Sequence, residues 1–455
     1  MWFLVVALLA VVGVPVAAQA AEDPYHLPET LAAARRFDEA EAEYRRELRE
    51  RPQDWRLRLG LARVILWDGR YREADHEFAA LLAERPSDPN ALLGYAQAAY
   101  WNGDFRRARR RYERLREVDP GHAEANKVLS DIALLTAPGY EVGATHRDDS
   151  QPYRVSMMRA KVSYFSDPLV RWDLIGGVGD VSDGESSMAS VGAGVSATFP
   201  RLRSTVAASG ERFRFPDGFN ATVGEVAVTR SLPARSALVV SARRTPLLGT
   251  AFSVDDHEMV TQYSISWRRD PAERWLAAVS AHSLDYSDGN TGSGADAWFV
   301  APVFTRDSLK FRAGLSAAWR DTELDRFRFT TFRSEQESPG VWRYTYTGVY
   351  DPYWTPHELK EGRVVVIAEA PRLKLHADAG YARDRALGFG PQTGSTPNPL
   401  FIHPNMQERS FRPWRAGAEI TWPLATRIEL RARYLHEVTA FYRANEFEAS
   451  LGGRL

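Results

Sequence analysis

The chain has no cysteine among its 455 residues. That excludes a disulfide framework, a thiolate nucleophile and a thiolate metal site. It also lacks an excess of either charge, with 58 Lys and Arg against 59 Asp and Glu and a net charge of −1. No global positive field is available to nucleic acid, so no nucleic-acid partner is expected. The ten histidines are scattered without ligand spacing, and there is no Gly-x-Ser-x-Gly stretch. No metal, no cofactor and no catalytic set is therefore expected. Past the first 20 residues, no segment approaches the roughly 18 consecutive apolar residues that a spanning helix needs. The start itself, Met1–Ala20, is an apolar run closing on Ala18-Gln19-Ala20, a small-x-small cleavage pattern. It reads as a signal peptide, with a retained anchor as the alternative because its first residues carry no Lys or Arg.

What is present divides at Ala137-Pro138-Gly139. Before that point Pro52, Pro86 and Pro120 recur every 34 residues, the tetratricopeptide period. In the same register stand Ala40, Ala74 and Ala108, the aromatics Phe37, Tyr71 and Phe105, and a second aromatic set, Tyr44, Phe78 and Tyr112. Alanine lets paired helices approach, the aromatics fill the groove against the next repeat, and proline ends the second helix. Gly69 and Gly103 mark the turns of the second and third units; Arg35 holds that place in the first. The spacing predicts a helical domain over 21–136, with about three repeats and a closing helix from about Gly121 to Leu135. Such arrays offer a concave surface to protein partners. The third unit carries Arg106, Arg107, Arg109, Arg110, Arg111, Arg114 and Arg116. These suit either a solvated face, with Glu113 and Glu117 nearby, or contact with anionic lipid or an acidic partner.

From 139 to 455 the period changes to two. Phe311, Ala313, Leu315, Ala317 and Trp319 alternate with Lys310, Arg312, Ser316 and Arg320. Near the end Ile428, Leu430, Ala432 and Tyr434 alternate with Glu429, Arg431 and Arg433. One strand face suits lipid and the other water. Strands are expected near 140–147, 153–165, 169–179, 187–199, 202–213, 220–231, 236–245 and 257–268. Others are expected near 274–286, 294–305, 309–321, 357–369, 372–382, 410–422, 426–439 and 445–455. Tight connections such as Ser166-Asp167-Pro168 and Pro200-Arg201 alternate with long ones: Arg212–Asn220, Pro246–Asp256, Tyr286–Asp296, Asp321–Pro356 and Arg383–Glu408. The fold expected is therefore multi-domain α + β: helical repeats followed by an antiparallel outer-membrane β-barrel of about 16 strands. The repeats would lie in the periplasm.

The water-facing parity supplies candidates for a polymer path: Arg159, Lys161, Arg312, Arg320, Asp378, Arg415, Glu419, Glu429, Arg431 and Arg433. Inward charges of both signs also serve simply to pair and hold a hydrated barrel in shape. In the connection Asp321–Pro356, Trp342, Tyr344, Tyr346, Tyr350, Tyr353 and Trp354 are candidates to stack on sugar rings at an exit rim, or to pack among themselves as a cap.

Repeats followed by such a barrel resemble the outer-membrane exporters of bacterial exopolysaccharide systems, and above all the C-terminal barrel of the cellulose-synthase operon protein C family. Arg243-Arg244-Thr245-Pro246 with Ser253, and Gly348-Val349-Tyr350-Asp351-Pro352-Tyr353, resemble two stretches of that family. The second departs from the family pattern, where glutamine stands in place of Tyr353. The resemblance implies export of a cellulose-like or other β-linked polysaccharide through the outer membrane. It also implies that the repeats bind periplasmic or envelope proteins that make or modify the polymer. From the residues themselves, outer-membrane lipid is expected around the barrel and no catalysis is expected. The alternatives are a passive porin, a surface receptor or assembly factor, and a barrel hydrolase. The last would draw on His376 with Asp378, or on His282 with Ser280.

Overall fold

The computed structural model describes residues 23–150, 153–181, 186–233, 235–269, 275–339, 341–388, 392–394, 405–440 and 442–455. The expected signal peptide lies outside them. Contacts divide the chain into two compact units meeting at Leu129 and Ser130. Among the described residues no helix is long and apolar enough to cross a membrane.

The helices are α1 (His26–Ala33), α2 (Phe37–Glu50), α3 (Trp55–Trp67), α4 (Tyr71–Glu84), α5 (Pro89–Trp101), α6 (Phe105–Val118) and α7 (Ala123–Leu135). Their starts repeat with the sequence period. The Asp54 carboxylate accepts from the Leu57 amide at 3.1 Å, and Asp88 accepts from Ala91 at 2.9 Å. In the third place the His122 ring accepts from Ala125 at 3.3 Å. Each satisfies an amide the helix leaves unpaired. Gly69 and Gly103 take φ of 85° and 75° at the intra-repeat turns, and Arg35 takes 59° at the same place. A side chain in that left-handed region costs about 1–2 kcal/mol, so the first repeat turns at an expense the others avoid.

Ala40, Ala74 and Ala108 are fully buried, as are Phe78 and Tyr112, with Tyr44 nearly so. The aromatic set has partners that the sequence reading passed over. A Cβ on Gly60 would come within 2.5 Å of the Tyr44 ring, and one on Gly94 within 2.1 Å of the Phe78 ring. The far end of each ring fills the space above a glycine of the next helix. In the third unit Val128 stands where the glycine would be, and the Tyr112 hydroxyl reaches Glu124 at 3.1 Å. Gly94→Ala should therefore lower the stability of the repeats by about 1–3 kcal/mol, the usual cost of overpacking. Thermal unfolding followed by circular dichroism at the helical band measures it; an unchanged midpoint would mean the ring is free to shift.

The strands are β1 (Gly139–Asp149), β2 (Arg154–Asp167), β3 (Val170–Val181), β4 (Ser186–Phe199), β5 (Ser204–Arg214), β6 (Asn220–Leu232) and β7 (Ser236–Pro246). After them come β8 (Met259–Arg269), β9 (Leu276–Tyr286), β10 (Thr291–Arg306), β11 (Leu309–Thr322), β12 (Phe327–Ser338) and β13 (Val341–Tyr350). The last are β14 (His357–Ala370), β15 (Leu373–Gly388), β16 (Gln392–Gly394), β17 (Asn405–Phe411), β18 (Trp414–Ala425), β19 (Ile428–Val438) and β20 (Arg443–Arg454). Each wall strand pairs antiparallel with the next, and β1 pairs with β20, Gly139 opposite Arg454 and Asp149 opposite Ala444. The sheet therefore closes on itself and leaves no edge. β17 and β18 share one place beside β15, interrupted at Arg412-Pro413, so the wall has 16 strands. β12, β13 and β16 form a separate small sheet.

Connections at one end are tight, such as 168–169, 307–308 and 371–372. At the other end lie the three long ones: 247–258, 323–356 and 389–404. The β9–β10 connection, expected to be long, is only 287–290 because β10 begins earlier than its sequence pattern suggests.

Candidate functional site

Register decides which side chains face in. Leu315 is opposite Phe299 and Val364, and these, with Leu174, Val191 and Ile420, are large apolar side chains left exposed. Leu315 is 65% exposed and Leu174 62%. A wall with its apolar residues outward needs a lipid solvent. Tyr164, Trp172, Phe199, Trp414 and Trp422 stand exposed near strand ends, and Arg372 lies over the Trp422 ring at 4.4 Å. Such amphipathic rings suit the boundary between hydrocarbon and water.

The opposite parity is the lumen wall, and there nearly every candidate is paired with opposite charge. Asp378 receives Arg363 at 2.5 Å and Arg415 at 2.9 Å, and Arg363 also pairs with Glu361. Arg312 pairs with Glu369, Lys161 with Glu141 at 2.6 Å, and Arg431 with Glu429 at 2.6 Å. Arg433 pairs with Glu446 and reaches Glu448 at 3.2 Å. Arg320 and Glu419 share the inward parity without an ion pair among the described residues.

Arg159 makes the longest reach, from β2 across β3 and β4 to Glu211 on β5 at 2.6 Å. Glycine opens that path: Arg159 lies opposite Gly177, and Glu211 opposite Gly192, where an added Cβ would come within 2.5 Å of the Glu211 side chain.

Both lumen histidines use the same device. The His282 ring occupies the space above Gly294, where a Cβ would come within 2.5 Å of it, and His376 does the same above Gly417 at 2.3 Å. The groups that a barrel hydrolase would pair with them are engaged elsewhere: Asp378 with two arginines, and Ser280 with Asp296 at 2.7 Å. Among the described residues no cluster is arranged to hold a metal ion.

Of the aromatic candidates, Trp342, Tyr344, Tyr346 and Tyr350 lie on β13, and their side chains are outside the described set. Trp354 is half-buried. Tyr353 is buried: it stacks on Tyr286 with centroids 4.2 Å apart, and its hydroxyl donates to Asp288 at 2.9 Å. Arg326 also holds Asp288, at 2.5 Å.

The basic stretch of α6 is partly committed. Arg111 lies 3.3 Å from the Tyr95 ring centroid and donates to the Tyr95 carbonyl at 2.7 Å, while Arg114 donates to the Pro86 carbonyl at 3.1 Å. Arg109, Arg110 and Arg116 are exposed.

Several repeat carboxyls are held below their ordinary range. Burial works to raise Asp54, but the Tyr25 hydroxyl and the Leu57 amide outweigh it; Arg70 lowers Glu73, and Arg58 lowers Glu84. A carboxyl depressed on folding stabilises above its unfolded pKa of about 4 and loses that stabilisation as pH falls through the folded value. The helical signal of the full-length protein in detergent should therefore have a flat thermal midpoint from about pH 7 to about pH 5, then a falling one below about pH 4. A midpoint rising on acidification would contradict it.

Tetratricopeptide-repeat family models match residues 68–132 and 29–66. Among solved structures, a bacterial polysaccharide outer membrane secretin is similar over 71% of this chain and 99% of its own, at 12% identity and a TM-score of 0.51. CdiB from Acinetobacter baumannii is similar over 70% of this chain and 60% of its own, at 9% identity and a TM-score of 0.38. The first tetratricopeptide domain of Spaghetti (RPAP3), bound to an HSP90 peptide, matches 24% of this chain and 87% of its own, at 20% identity and a TM-score of 0.23. Among curated proteins none matches. Residues 29–66 and 68–132 are thus tetratricopeptide repeats, and the strands after them close into a barrel similar in fold to the polysaccharide secretin.

Proposed function

We propose that this protein is an outer-membrane channel that exports a polysaccharide, with its repeats in the periplasm docking proteins that make or modify the polymer. The observation that carries the reading is the union in one chain of tetratricopeptide repeats and a closed barrel of 16 strands, polar within and apolar without. Barrels of this size are wide enough for an aqueous lumen. The fold likeness to a polysaccharide secretin supports the substrate class.

The paired charges of the inner wall favour an uncharged, hydroxyl-rich polymer of the cellulose-like, β-linked kind. With Arg159, Lys161, Arg312, Asp378, Arg415, Glu429, Arg431 and Arg433 each compensated, the wall has little single-signed field to attract a polyion. Sugar hydroxyls exchange hydrogen bonds between wall and water at a net difference of about 1 kcal/mol each, so a chain can slide. The aromatics of β13 and Trp354 are proposed as the exit rim, stacking on sugar faces.

A strain lacking the protein should stop secreting its exopolysaccharide, and the wild-type chain should restore secretion. Undiminished secretion in the deletion strain would defeat the reading. For the substrate class, neutral β-linked oligosaccharides should block ion conductance more strongly than anionic ones of equal length.

A further inference from the structure

Arg212 and Arg214 on β5 and Arg244 on β7 lie at the long-connection end of the wall and face away from the lumen. Register fixes their side. Arg212 is opposite Val191, which is 61% exposed, and Arg214 is opposite Ala189, while Phe213 between them takes the inward parity. Arg244 is opposite Gly224 and Thr261; two residues along, Ala242 is opposite Val226 and Tyr263, both exposed on the outer face. All three arginines are exposed.

Their charge is uncompensated. Elsewhere at this end outward arginines are neutralised: Arg383 pairs with Glu408, and Arg385 with Glu358 at 2.9 Å. Among the described residues Arg212 and Arg214 make no ion pair, and Arg244 donates only to the Thr261 hydroxyl, at 3.3 Å. No outward position of β4 to β8 holds a carboxylate among the described residues. In the hairpin above them Asp217 is held by His257 at 2.9 Å.

Strand β6 runs between the arginines, with Asn220, Thr222 and Gly224 as its outward positions there. β5 and β7 are about 10 Å apart across it. The wall thus presents two cationic points flanking a strip of short side chains. Next to it, towards the middle of the strands, Val226, Val240, Ala242, Tyr263, Ile265 and Ala281 line an outer groove of about 510 Å³. Cations beside an apolar groove on a lipid-facing wall fit an amphiphile with an anionic head.

We propose that this patch binds a phosphorylated glycolipid of the lipid A class, phosphates on the three arginines and an acyl chain in the groove. The arginine fork donates two parallel hydrogen bonds to a phosphate. Two phosphates on linked sugars can engage both cationic points at once, and Thr222 and Asn220 meet the sugars between them. A glycerophospholipid with one phosphate satisfies one point alone. The proposal rests on the export reading for its side, since that reading turns the long connections outward, to the leaflet that holds this lipid. It also divides the Arg243-Arg244-Thr245-Pro246 stretch: Arg243 shares the inward parity of Glu225, and Arg244 belongs to the lipid face.

The test uses full-length protein in detergent, stripped of bound lipid, with diphosphorylated lipid A as the probe. Lipid A should raise the temperature at which the barrel loses its compact gel mobility. The triple variant Arg212→Gln, Arg214→Gln, Arg244→Gln should need a several-fold higher lipid A concentration for the same rise. Arg244→Gln alone should show part of that weakening, and it carries the comparison if the triple variant does not fold. Arg230→Gln, an outward arginine at the opposite end of β6, should respond as the wild type does. No response in the wild type, or an equal response in the arginine variants, would overturn the site. An equal response of the wild type to phosphatidylglycerol would overturn the glycolipid assignment. Because no polymer enters this measurement, lipid A binding at these arginines with secretion independent of the protein would count against the export reading alone.

Discussion

Asp378→Ala is expected to lower the stability of the barrel by about 3–5 kcal/mol, the cost of leaving a buried charge without its partner. Asp378 sits between Arg363 and Arg415 on the inner wall; its side chain is 5% exposed and that of Arg363 is 7%. Removing the carboxylate leaves two guanidiniums facing each other with Glu361 as the remaining counter-charge, bonded to Arg363 alone. Asp378→Asn keeps the shape and one acceptor, so its loss should be smaller. The temperature at which the folded barrel loses its compact gel mobility reads the effect. Equal stability in all three proteins would mean that lumen water solvates these charges unaided.

Leu315→Arg should cost about 2–4 kcal/mol, the penalty for a cation on the lipid face near the middle of a barrel strand. Leu315 lies midway along β11 with Phe299 and Val364 beside it on neighbouring strands. The neighbouring substitution Ser316→Lys, on the inward parity, should be nearly neutral. The amount of folded barrel recovered in outer-membrane fractions separates the two. Comparable losses would show that the two faces do not differ in solvent.

The strands were legible because each keeps a strict period of two with one parity apolar, and because tight connections announce themselves with proline and aspartate. The strand expected near 357–369 is β14, His357–Ala370, and that expected near 309–321 is β11, Leu309–Thr322. What was missed has identifiable causes. The hairpin of β12 and β13 lies within a stretch read as an aromatic loop, and its register shifts at Phe329/Thr331 and Gln336/Ser338 break the period that would have marked it. Pro413 has no amide to give to a ladder, and the wall strand expected near 410–422 is divided there into β17 and β18.

The lumen candidates were legible as a parity, but their pairing was not. Arg159 finds Glu211 across three strand boundaries, and only Gly177 and Gly192 hint that the way is open. The connection 247–258 packs Leu248 and Val254 against the inner wall, and that left one trace in the sequence. Met157, Met188, Phe213 and Val223 put apolar side chains on the wet parity at one end of the barrel, where only a covering segment makes them sensible. In the repeats the 34-residue period carried the helices and the buried aromatics, whereas Gly60 and Gly94 passed unnoticed because a helical glycine reads as a weakness until the ring lying on it is seen.

The central claim is that hydrocarbon touches one parity of the wall and water the other. Single cysteines at Leu315, Ser316, Ala317 and Ala318, in a chain with none of its own, test it residue by residue in liposomes. A charged thiol reagent supplied on both sides should label Ser316→Cys and Ala318→Cys, and a lipid-soluble one should favour Leu315→Cys and Ala317→Cys. Equal labelling of all four by the charged reagent would contradict the claim.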